Sequence, residues 1–214
     1  MNINKYIDHT NLKAFATKKD IEKLCDEAIK YNFATVCVNP YYVSLANELL
    51  IRSDVKVCTV IGFPLGQNTS EVKLYEAKAA IEQGVDEIDV VINIAALKDK
   101  YYDYVKDEIK QIKDAAKDKI LKVIIETCYL TNEEITIITN ICNEVGVDFI
   151  KTSTGFGIDG ANIEDIKLIN KHKNDKLQIK ASGGIKTRTE AINFINNGAT
   201  RIGTSNGIKI MEGE

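Results

Sequence analysis

The sequence predicts an α/β fold, a (β/α)8 TIM barrel that forms a single domain over residues 1–214. Three observations lead to this prediction. Apolar segments of strand length alternate with amphipathic helical segments from end to end. Eight strand candidates can be counted, and no linker or low-complexity stretch divides them. Several helical segments end at a glycine just before the next strand begins.

The strand candidates are short, rich in Val, Ile and Thr, and apolar along most of their length. Strands of a parallel sheet that is covered on both faces have this composition. In chain order the candidates are 5–9, 34–39, 55–62, 87–93, 121–127, 149–154, 178–182 and 200–205. An open doubly wound sheet is the alternative architecture. That fold more often carries a glycine-rich turn after its first strand, which this chain lacks.

The helical segments between the strands carry start, stripe and stop signals. Thr17 and Asp20 have the spacing of an N-terminal capping box, and Thr131 and Glu134 repeat it. The segment 101–117 places its apolar residues on one helical stripe. Three helical segments end at a glycine that precedes a strand, namely Gly84, Gly146 and Gly198.

Composition and charge exclude several functional classes. The net charge of −3 argues against nucleic acid as the main partner. No apolar run reaches the length of a membrane span, and the N-terminus lacks the apolar core of a signal peptide. The five cysteines form no Cys-x-x-Cys pair, which predicts reduced thiols in a cytoplasmic protein. The two histidines, His9 and His172, lack the paired spacing of metal ligands, so no metal site is predicted.

Two lysines occupy positions where a buried strand should carry no cation. Lys151 follows the apolar residues Phe149 and Ile150, and Lys180 lies in the strand-like segment 177–182. A buried ammonium is unfavourable, and a second cation nearby disfavours it further. A lysine in its neutral form attacks carbonyl groups and forms Schiff bases. Either lysine alone could instead lie at an exposed or edge position.

The alternation of side chains along a strand predicts which residues face the barrel interior. In 87–93, Asp89 lies on the face opposite Ile88 and Val90, and Lys151 and Lys180 have the same inward phase on their own strands. One carboxylate and two amines should therefore converge at the end of the barrel where active sites lie. The alternative is a buried Asp–Lys pair that only orders the interior.

Glycines after the last two strands predict a phosphate-binding rim. Gly183 and Gly184 follow the seventh strand, and Gly203, Ser205 and Asn206 end the eighth. Barrels often bind phosphate with the loops after these two strands, through backbone amides and a helix N-terminus. Ordinary tight turns are the alternative interpretation.

The motifs together resemble those of the deoxyribose-phosphate aldolase family over nearly the whole chain. The resemblance is carried by eight segments, which are YIDHT (6–10), VCVNP (36–40), TVIGFPLG (59–66), EIDVVIN (87–93), KVIIET (122–127), KTSTGF (151–156), KASGGI (180–185) and RIGTS (201–205). It implies a (β/α)8 barrel that cleaves 2-deoxy-D-ribose 5-phosphate to glyceraldehyde 3-phosphate and acetaldehyde. It further implies a homodimer that needs no metal or organic cofactor and binds neither nucleic acid nor membrane.

The resemblance also implies roles for individual residues. Lys151 matches the Schiff-base lysine, Lys180 the second lysine and Asp89 the acid/base aspartate. The phosphate-binding positions match Gly155, Gly183, Gly184, Gly203, Ser205 and Asn206. Accessory candidates near the site are Asp8, Thr10, Cys37 and Thr154, with Cys37 either a packed small residue or a thiol that captures aldehydes.

The chain departs from the family pattern at a few positions. Asn206 stands where a serine is often found, Phe156 where some relatives carry a phosphate-binding lysine, and Asn11 in place of a common leucine. These departures affect the expected strength of phosphate binding and not the expected reaction. Three other functions remain open, namely a different Schiff-base aldolase or transaldolase, a phosphosugar isomerase or lyase, and a non-catalytic barrel that binds phosphometabolites.

Overall fold

A computed structural model describes residues 2–213; Met1 and Glu214, the ends of the predicted domain 1–214, lie outside the described residues. The strands are β1 (Ile7–Asn11), β2 (Thr35–Val38), β3 (Lys56–Ile61), β4 (Glu87–Val91), β5 (Ile120–Ile124), β6 (Phe149–Lys151), β7 (Gln178–Ser182) and β8 (Arg201–Thr204). The helices are α1 (Lys18–Tyr31), α2 (Val43–Leu50), α3 (Ser70–Glu82), α4 (Ile94–Lys98), α5 (Tyr102–Ala116), α6 (Asn132–Val145), α7 (Ile163–His172), α8 (Arg188–Asn196) and α9 (Gly207–Glu212). Short 3-10 helices occupy Asn4–Tyr6, Pro40–Tyr42 and Thr127–Tyr129.

The eight strands form one closed parallel barrel in the order β1 to β8. Closure comes from the pairing of β1 with β8, in which Ile7 lies opposite Ile202 and His9 opposite Thr204. The predicted (β/α)8 barrel is therefore confirmed, and the open doubly wound sheet is excluded. The first strand begins two residues later than predicted, because Asn4–Tyr6 form a 3-10 turn before it.

The predicted helix signals are found in the structure. Thr17 with Asp20 caps α1, and Thr131 with Glu134 caps α6, each through a reciprocal capping box. Gly146 ends α6 in the left-handed conformation at φ 77°, which a glycine adopts without steric penalty. Within the described residues, no helix is both long and apolar enough to span a bilayer.

Two layers fill the interior. The outward faces of the strands pack on the helices through apolar side chains such as Ile88 and Val90, which are buried. The inward faces meet inside the barrel, where charged residues replace apolar ones. Because the side chains alternate along each strand, the sequence pattern that buries Ile88 and Val90 also directs Asp89 inward.

Candidate active site

The three predicted catalytic residues meet inside the barrel. One carboxylate oxygen of Asp89, Oδ2, lies 2.8 Å from Nζ of Lys151 and 2.8 Å from Nζ of Lys180. Asp89 comes from β4, Lys151 ends β6 and Lys180 lies in β7. Lys151 and Lys180 are register partners on neighbouring strands, so the pleat places both side chains on the same inward face.

The site contains four charged residues beyond those three. Asp8, predicted only as an accessory residue, contacts Nζ of Lys180 at 2.5 Å. Lys122 contacts Oδ1 of Asp89 at 2.7 Å and Glu87 at 2.6 Å. The guanidinium of Arg201 joins Asp8 at 2.7 Å and Glu87 at 2.9 Å. We call this set the interior charge cluster; its members are Asp8, Glu87, Asp89, Lys122, Lys151, Lys180 and Arg201.

The sequence interpretation missed Lys122, Glu87 and Arg201. The same signal that identified Lys151 is present at Lys122, a lone cation in the apolar run 120–125. Glu87 and Arg201 lie at the first positions of β4 and β8 with the inward phase. Applied to every strand, the search for a lone inward charge would have found all three.

Mutual pairing fixes the charge states deep in the cluster. Burial opposes ionisation of Asp89, but the neighbouring side chains of Lys122, Lys151 and Lys180 outweigh it and hold the pKa of Asp89 well below its usual range. Burial likewise opposes the charge of Lys180, and the carboxylates of Asp8 and Asp89 outweigh it and raise the pKa of Lys180. The predicted ammonium form of Lys180 follows from this pairing.

Charge counting singles out Lys151. The cluster holds three carboxylates, on Asp8, Glu87 and Asp89, which are matched in charge by Lys122, Lys180 and Arg201. Lys151 is the fourth cationic group and has no carboxylate left to itself, because its one contact, Asp89, is shared. Lys151 is thus the amine of the cluster whose charge is least compensated.

Access separates Lys151 from the other lysines of the cluster. Lys151 lines a cavity of about 760 Å³ at the carboxyl ends of the strands. Lys122 and Lys180 are fully buried behind it and do not line the cavity. A carbonyl compound in the cavity can therefore reach the amine of Lys151 first.

The predicted phosphate residues lie together on the wall of this cavity. The lining includes Gly155, Gly183, Gly184, Gly203, Ser205 and Asn206, together with the accessory candidates Thr10 and Thr154. Gly155, Gly183 and Gly184 have positive φ angles, which suit glycine. Within residues 2–213, no hydrogen bond uses the amides of Gly155, Gly183, Gly184 or Ser205. Four unbonded amides on one cavity wall can bind an anion.

Two of the predicted phosphate residues, Gly203 and Asn206, lie against other residues of the protein. A Cβ at Gly203 would lie 3.0 Å from Cε of Lys180, so the missing side chain gives Lys180 the space to reach Asp89. The amide of Asn206 donates to Oγ1 of Thr204 at 2.9 Å and is not available to a ligand without breaking that bond. The assignment of both residues to phosphate stays a prediction.

Cys37 does not line the cavity. It is fully buried beside its register partner Cys58, whose thiol donates to Oδ1 of Asp89 at 3.1 Å. The adjacent side chain of Cys58 lowers the pKa of the Cys37 thiol. Capture of aldehydes by Cys37 stays a prediction, and any aldehyde must first pass Leu12, which packs on Cys37 and lines the cavity.

Several residues at the cavity mouth were not identified from the sequence. Four lysines line it, Lys13, Lys23, Lys186 and Lys209, beside acidic Asp20, Glu27 and Glu212. Phe156 also lines the mouth and meets Phe63 edge-on, with ring centroids 5.3 Å apart. The position that carries a lysine in some relatives is therefore an aromatic wall in this chain.

The thiols of Cys37 and Cys58 and a carboxylate oxygen of Asp89 lie within 4.8 Å of one another, a spacing that a metal ion could bridge. Both oxygens of Asp89 already accept from lysine side chains, Oδ1 from Lys122 and Oδ2 from Lys151 and Lys180. A metal ion would have to displace these cations, so the donor set suits the lysines better than a metal.

Comparisons with known proteins identify the family. A family model described as DeoC/LacD family aldolase matches residues 3–212. A deoxyribose-phosphate aldolase of Finegoldia magna is 58% identical over 213 residues and covers 100% of both chains. One of Thermococcus gammatolerans is 56% identical over 217 residues, covering 100% of this chain and 96% of its own. The solved tetrameric structure of deoxyribose phosphate aldolase from Aeropyrum pernix has a TM-score of 0.92 at 33% identity, covering 98% of this chain and 89% of that one. The chain belongs to the DeoC/LacD family of aldolases.

Proposed function

We propose that this protein reversibly cleaves 2-deoxy-D-ribose 5-phosphate to D-glyceraldehyde 3-phosphate and acetaldehyde through a Schiff base on Lys151. The observation that carries the proposal is the position of Lys151. It is the lysine of the interior charge cluster that reaches the cavity, and it contacts Asp89 at 2.8 Å. Membership of an aldolase family and the names of the close relatives support the same reaction.

The neutral amine of Lys151 attacks the aldehyde carbon of the substrate, C1, and loss of water gives an iminium ion. The positive charge of the iminium forms next to Asp89, whose carboxylate stabilises it. The iminium then withdraws electrons from the bond between C2 and C3. As the C3 hydroxyl loses its proton, that bond breaks and glyceraldehyde 3-phosphate leaves, with an enamine remaining on Lys151.

Protonation of the enamine carbon and hydrolysis of the resulting imine release acetaldehyde and regenerate the amine. We assign the proton transfers to Asp89 and Lys180, acting with water in the cavity. Both groups contact each other at 2.8 Å, so a proton lost by one can be replaced from the other. Asp8 and Thr10 are assigned the accessory role of ordering that water.

The phosphate of the substrate is assigned to the glycine-rich wall of the cavity. The unbonded amides of Gly155, Gly183, Gly184 and Ser205 supply hydrogen-bond donors, and Lys186 in the cavity lining supplies positive charge. No metal or organic cofactor takes part in the proposed steps.

Borohydride trapping tests the proposal. The protein is incubated with 2-deoxy-D-ribose 5-phosphate, reduced, digested and analysed by mass spectrometry. We expect a reduced two-carbon or sugar-phosphate adduct on Lys151, and no adduct or turnover in Lys151→Arg. An adduct on Lys180 would reverse the roles of the two lysines. A folded protein without any adduct would contradict the Schiff-base mechanism.

Three further results separate the other functions. Product analysis with 2-deoxy-D-ribose 5-phosphate distinguishes this aldolase from other Schiff-base aldolases and transaldolases. Activity that survives in Lys151→Arg would favour an isomerase or lyase, because a guanidinium keeps the charge but forms no imine. Binding of sugar phosphate without turnover would favour a non-catalytic barrel.

We also propose that the protein is a cytoplasmic homodimer, as the family resemblance implies. The related aldolase of Aeropyrum pernix is a tetramer, so a homodimer of this chain would mean that the oligomeric state differs within the family. Sedimentation velocity decides the point, since the chain mass is 23.8 kDa and a dimer doubles it. A species of four chains would contradict the dimer.

A further inference from the structure

The segment that follows β6 forms one wall of the cavity. Thr154, Gly155 and Phe156 line it, shortly after Lys151. The amide of Thr154 donates to Oε1 of Glu126 at 3.1 Å, and its hydroxyl donates to Oε2 of the same carboxylate. The amide of Phe156 donates in turn to the Thr154 hydroxyl oxygen at 3.0 Å. Both amides that flank Gly155 are thus used inside the protein, and the amide of Gly155 stays unbonded.

Glu126 is an unusual residue in two respects. Its side chain is 2% exposed, yet within residues 2–213 it takes part in no ion pair, whereas a buried carboxylate is normally paired with a cation. Its backbone has φ 53° and ψ 67°, a left-handed conformation that a non-glycine residue rarely adopts. Both features are unfavourable for folding, and strain of this kind clusters at functional sites.

The surroundings leave room for this carboxylate. A Cβ at Gly157 would lie 3.1 Å from Cδ of Glu126 and 3.0 Å from Sγ of Cys128, so glycine allows the loop to close over the carboxylate. Farther along the same loop, a Cβ at Gly160 would lie 2.2 Å from the carbonyl oxygen of Gly183. The loop is therefore fixed at its start by Glu126 and at its end by the glycine pair after β7.

We propose that Glu126 is a positioning residue for phosphate binding. By holding the amide and hydroxyl of Thr154, its carboxylate fixes the backbone on both sides of Gly155 and orients the unbonded Gly155 amide for the phosphate of the substrate. Glu126 does not touch the substrate and acts through Thr154. The inference rests on the proposed function, since that function supplies the phosphate.

The test compares phosphorylated and unphosphorylated substrates in three variants. Glu126→Gln keeps the size of the side chain but leaves one oxygen acceptor for two donors. Thr154→Val removes the hydroxyl, and Thr154→Ser restores it. Thr139→Val is the matched control, because it deletes a buried hydroxyl bond, to Ile135 at 2.7 Å within α6, away from the cavity. Each variant is checked by circular dichroism and by its Tm.

For Glu126→Gln and Thr154→Val, we expect KM for 2-deoxy-D-ribose 5-phosphate to rise about tenfold. For unphosphorylated 2-deoxy-D-ribose, kcat/KM of Glu126→Gln should stay within about twofold, because no phosphate is bound. Thr154→Ser should retain the parental KM. Thr139→Val should lower Tm without changing KM for 2-deoxy-D-ribose 5-phosphate or kcat/KM for 2-deoxy-D-ribose.

Calorimetric titration with inorganic phosphate gives a readout that needs no turnover. Its Kd should rise about tenfold in Glu126→Gln and Thr154→Val and stay unchanged in Thr154→Ser and Thr139→Val. If the parent protein turns over neither sugar, the proposed function fails, and the phosphate Kd still decides on Glu126. If a folded Glu126→Gln protein keeps the parental Kd for inorganic phosphate and the parental KM for 2-deoxy-D-ribose 5-phosphate, the inference is overturned. If Glu126→Gln does not fold, equal phosphate Kd values for Thr154→Val and Thr154→Ser would overturn it.

Discussion

The carboxylate of Asp89 contacts Nζ of Lys151 at 2.8 Å although the two residues lie 62 positions apart in the chain. The same oxygen also accepts from Lys180. One carboxylate oxygen, Oδ2, therefore serves two lysines, of which one faces the cavity and the other is fully buried. This shared oxygen holds the amine of Lys151 in position beside Lys180.

Asp89→Asn should impair both stability and catalysis. An amide cannot balance the ammonium groups of Lys122 and Lys180, and removing one partner of a buried charge group lowers the free energy of unfolding by roughly 3–5 kcal/mol. With no counter-ion for the iminium, kcat should fall by more than about a hundredfold. Urea unfolding and steady-state kinetics at pH 7 measure the two effects. Parental kcat in a folded variant would contradict the assigned role.

Lys122→Met should affect catalysis more than an equally buried control. In the control, Lys73→Met, the lost partner is Glu108, which contacts Lys73 at 2.8 Å outside the barrel interior. Each change removes a buried cation from a carboxylate, Glu87 and Asp89 for Lys122 and Glu108 for Lys73, and should lower the free energy of unfolding by roughly 3–5 kcal/mol.

Lys122 contacts Asp89 directly, whereas Lys73 does not. We therefore expect kcat to fall at least about tenfold in Lys122→Met and by less than about threefold in Lys73→Met. Chemical denaturation and initial rates for the two proteins provide the comparison. Equal losses of kcat would show that the effect of Lys122 is one of stability alone.

Phe156→Lys should strengthen binding of the phosphorylated substrate. The new ammonium lies at the cavity mouth beside Gly155, where it can pair with phosphate. KM for 2-deoxy-D-ribose 5-phosphate should fall about fivefold, with little change for the unphosphorylated sugar. The control is Ile158→Lys, which adds the same charge at an exposed position outside the cavity lining. An equal fall of KM in both variants would reduce the effect to long-range attraction.

The buried aspartates should make the protein acid-sensitive. The pKa values of Asp8 and Asp89 lie below the ordinary value of 3.8; burial opposes ionisation of each, but neighbouring cations outweigh it. A carboxyl whose pKa is lower in the folded state contributes stability above its unfolded pKa and loses that contribution as the pH falls through its folded pKa. The free energy of unfolding should therefore decrease below about pH 4.

Asp89→Asn should show a shallower decrease over the same range, since one titrating group is gone. Asp114→Asn, a change in an exposed pair with Lys110, should follow the parental curve. Urea titrations between about pH 3 and pH 7 measure all three proteins. A parental slope in Asp89→Asn would contradict the assigned charge state of Asp89.

The sequence pattern was sufficient for the fold and for the inward placement of the predicted catalytic residues, and it was less informative about their partners. Strand alternation predicts that Asp89, Lys151 and Lys180 face inward, and the structure places them there. Which inward residues meet depends on the stagger between strands, as in the pairing of Asp89 with Lys122. No single strand encodes that stagger, so the contacts of Lys122 could not be read from its own segment.

The start of the first strand shows a second limit. Lys5 and Tyr6 fit the strand pattern, but the backbone turns there before β1 begins at Ile7. The side chain of Asn4 donates to the carbonyls of Tyr31 and Asn32 at the C-terminal end of α1. A contact between residues about 28 positions apart decides the local conformation, and local propensity carries no information about it.

Arg201 and Asp8 are 193 residues apart in the chain and contact each other where the last strand meets the first. A partly folded sheet that lacks β1 or β8 leaves part of the interior charge cluster without its counter-ions. In such partly assembled forms the barrel is open and those charges remain in water without their partners. We therefore expect partly assembled forms to be disfavoured and the barrel to assemble in one cooperative step. The amine of Lys151 then acquires its reactive surroundings only in the last step of folding, and aldolase activity recovered during refolding reports ring closure itself.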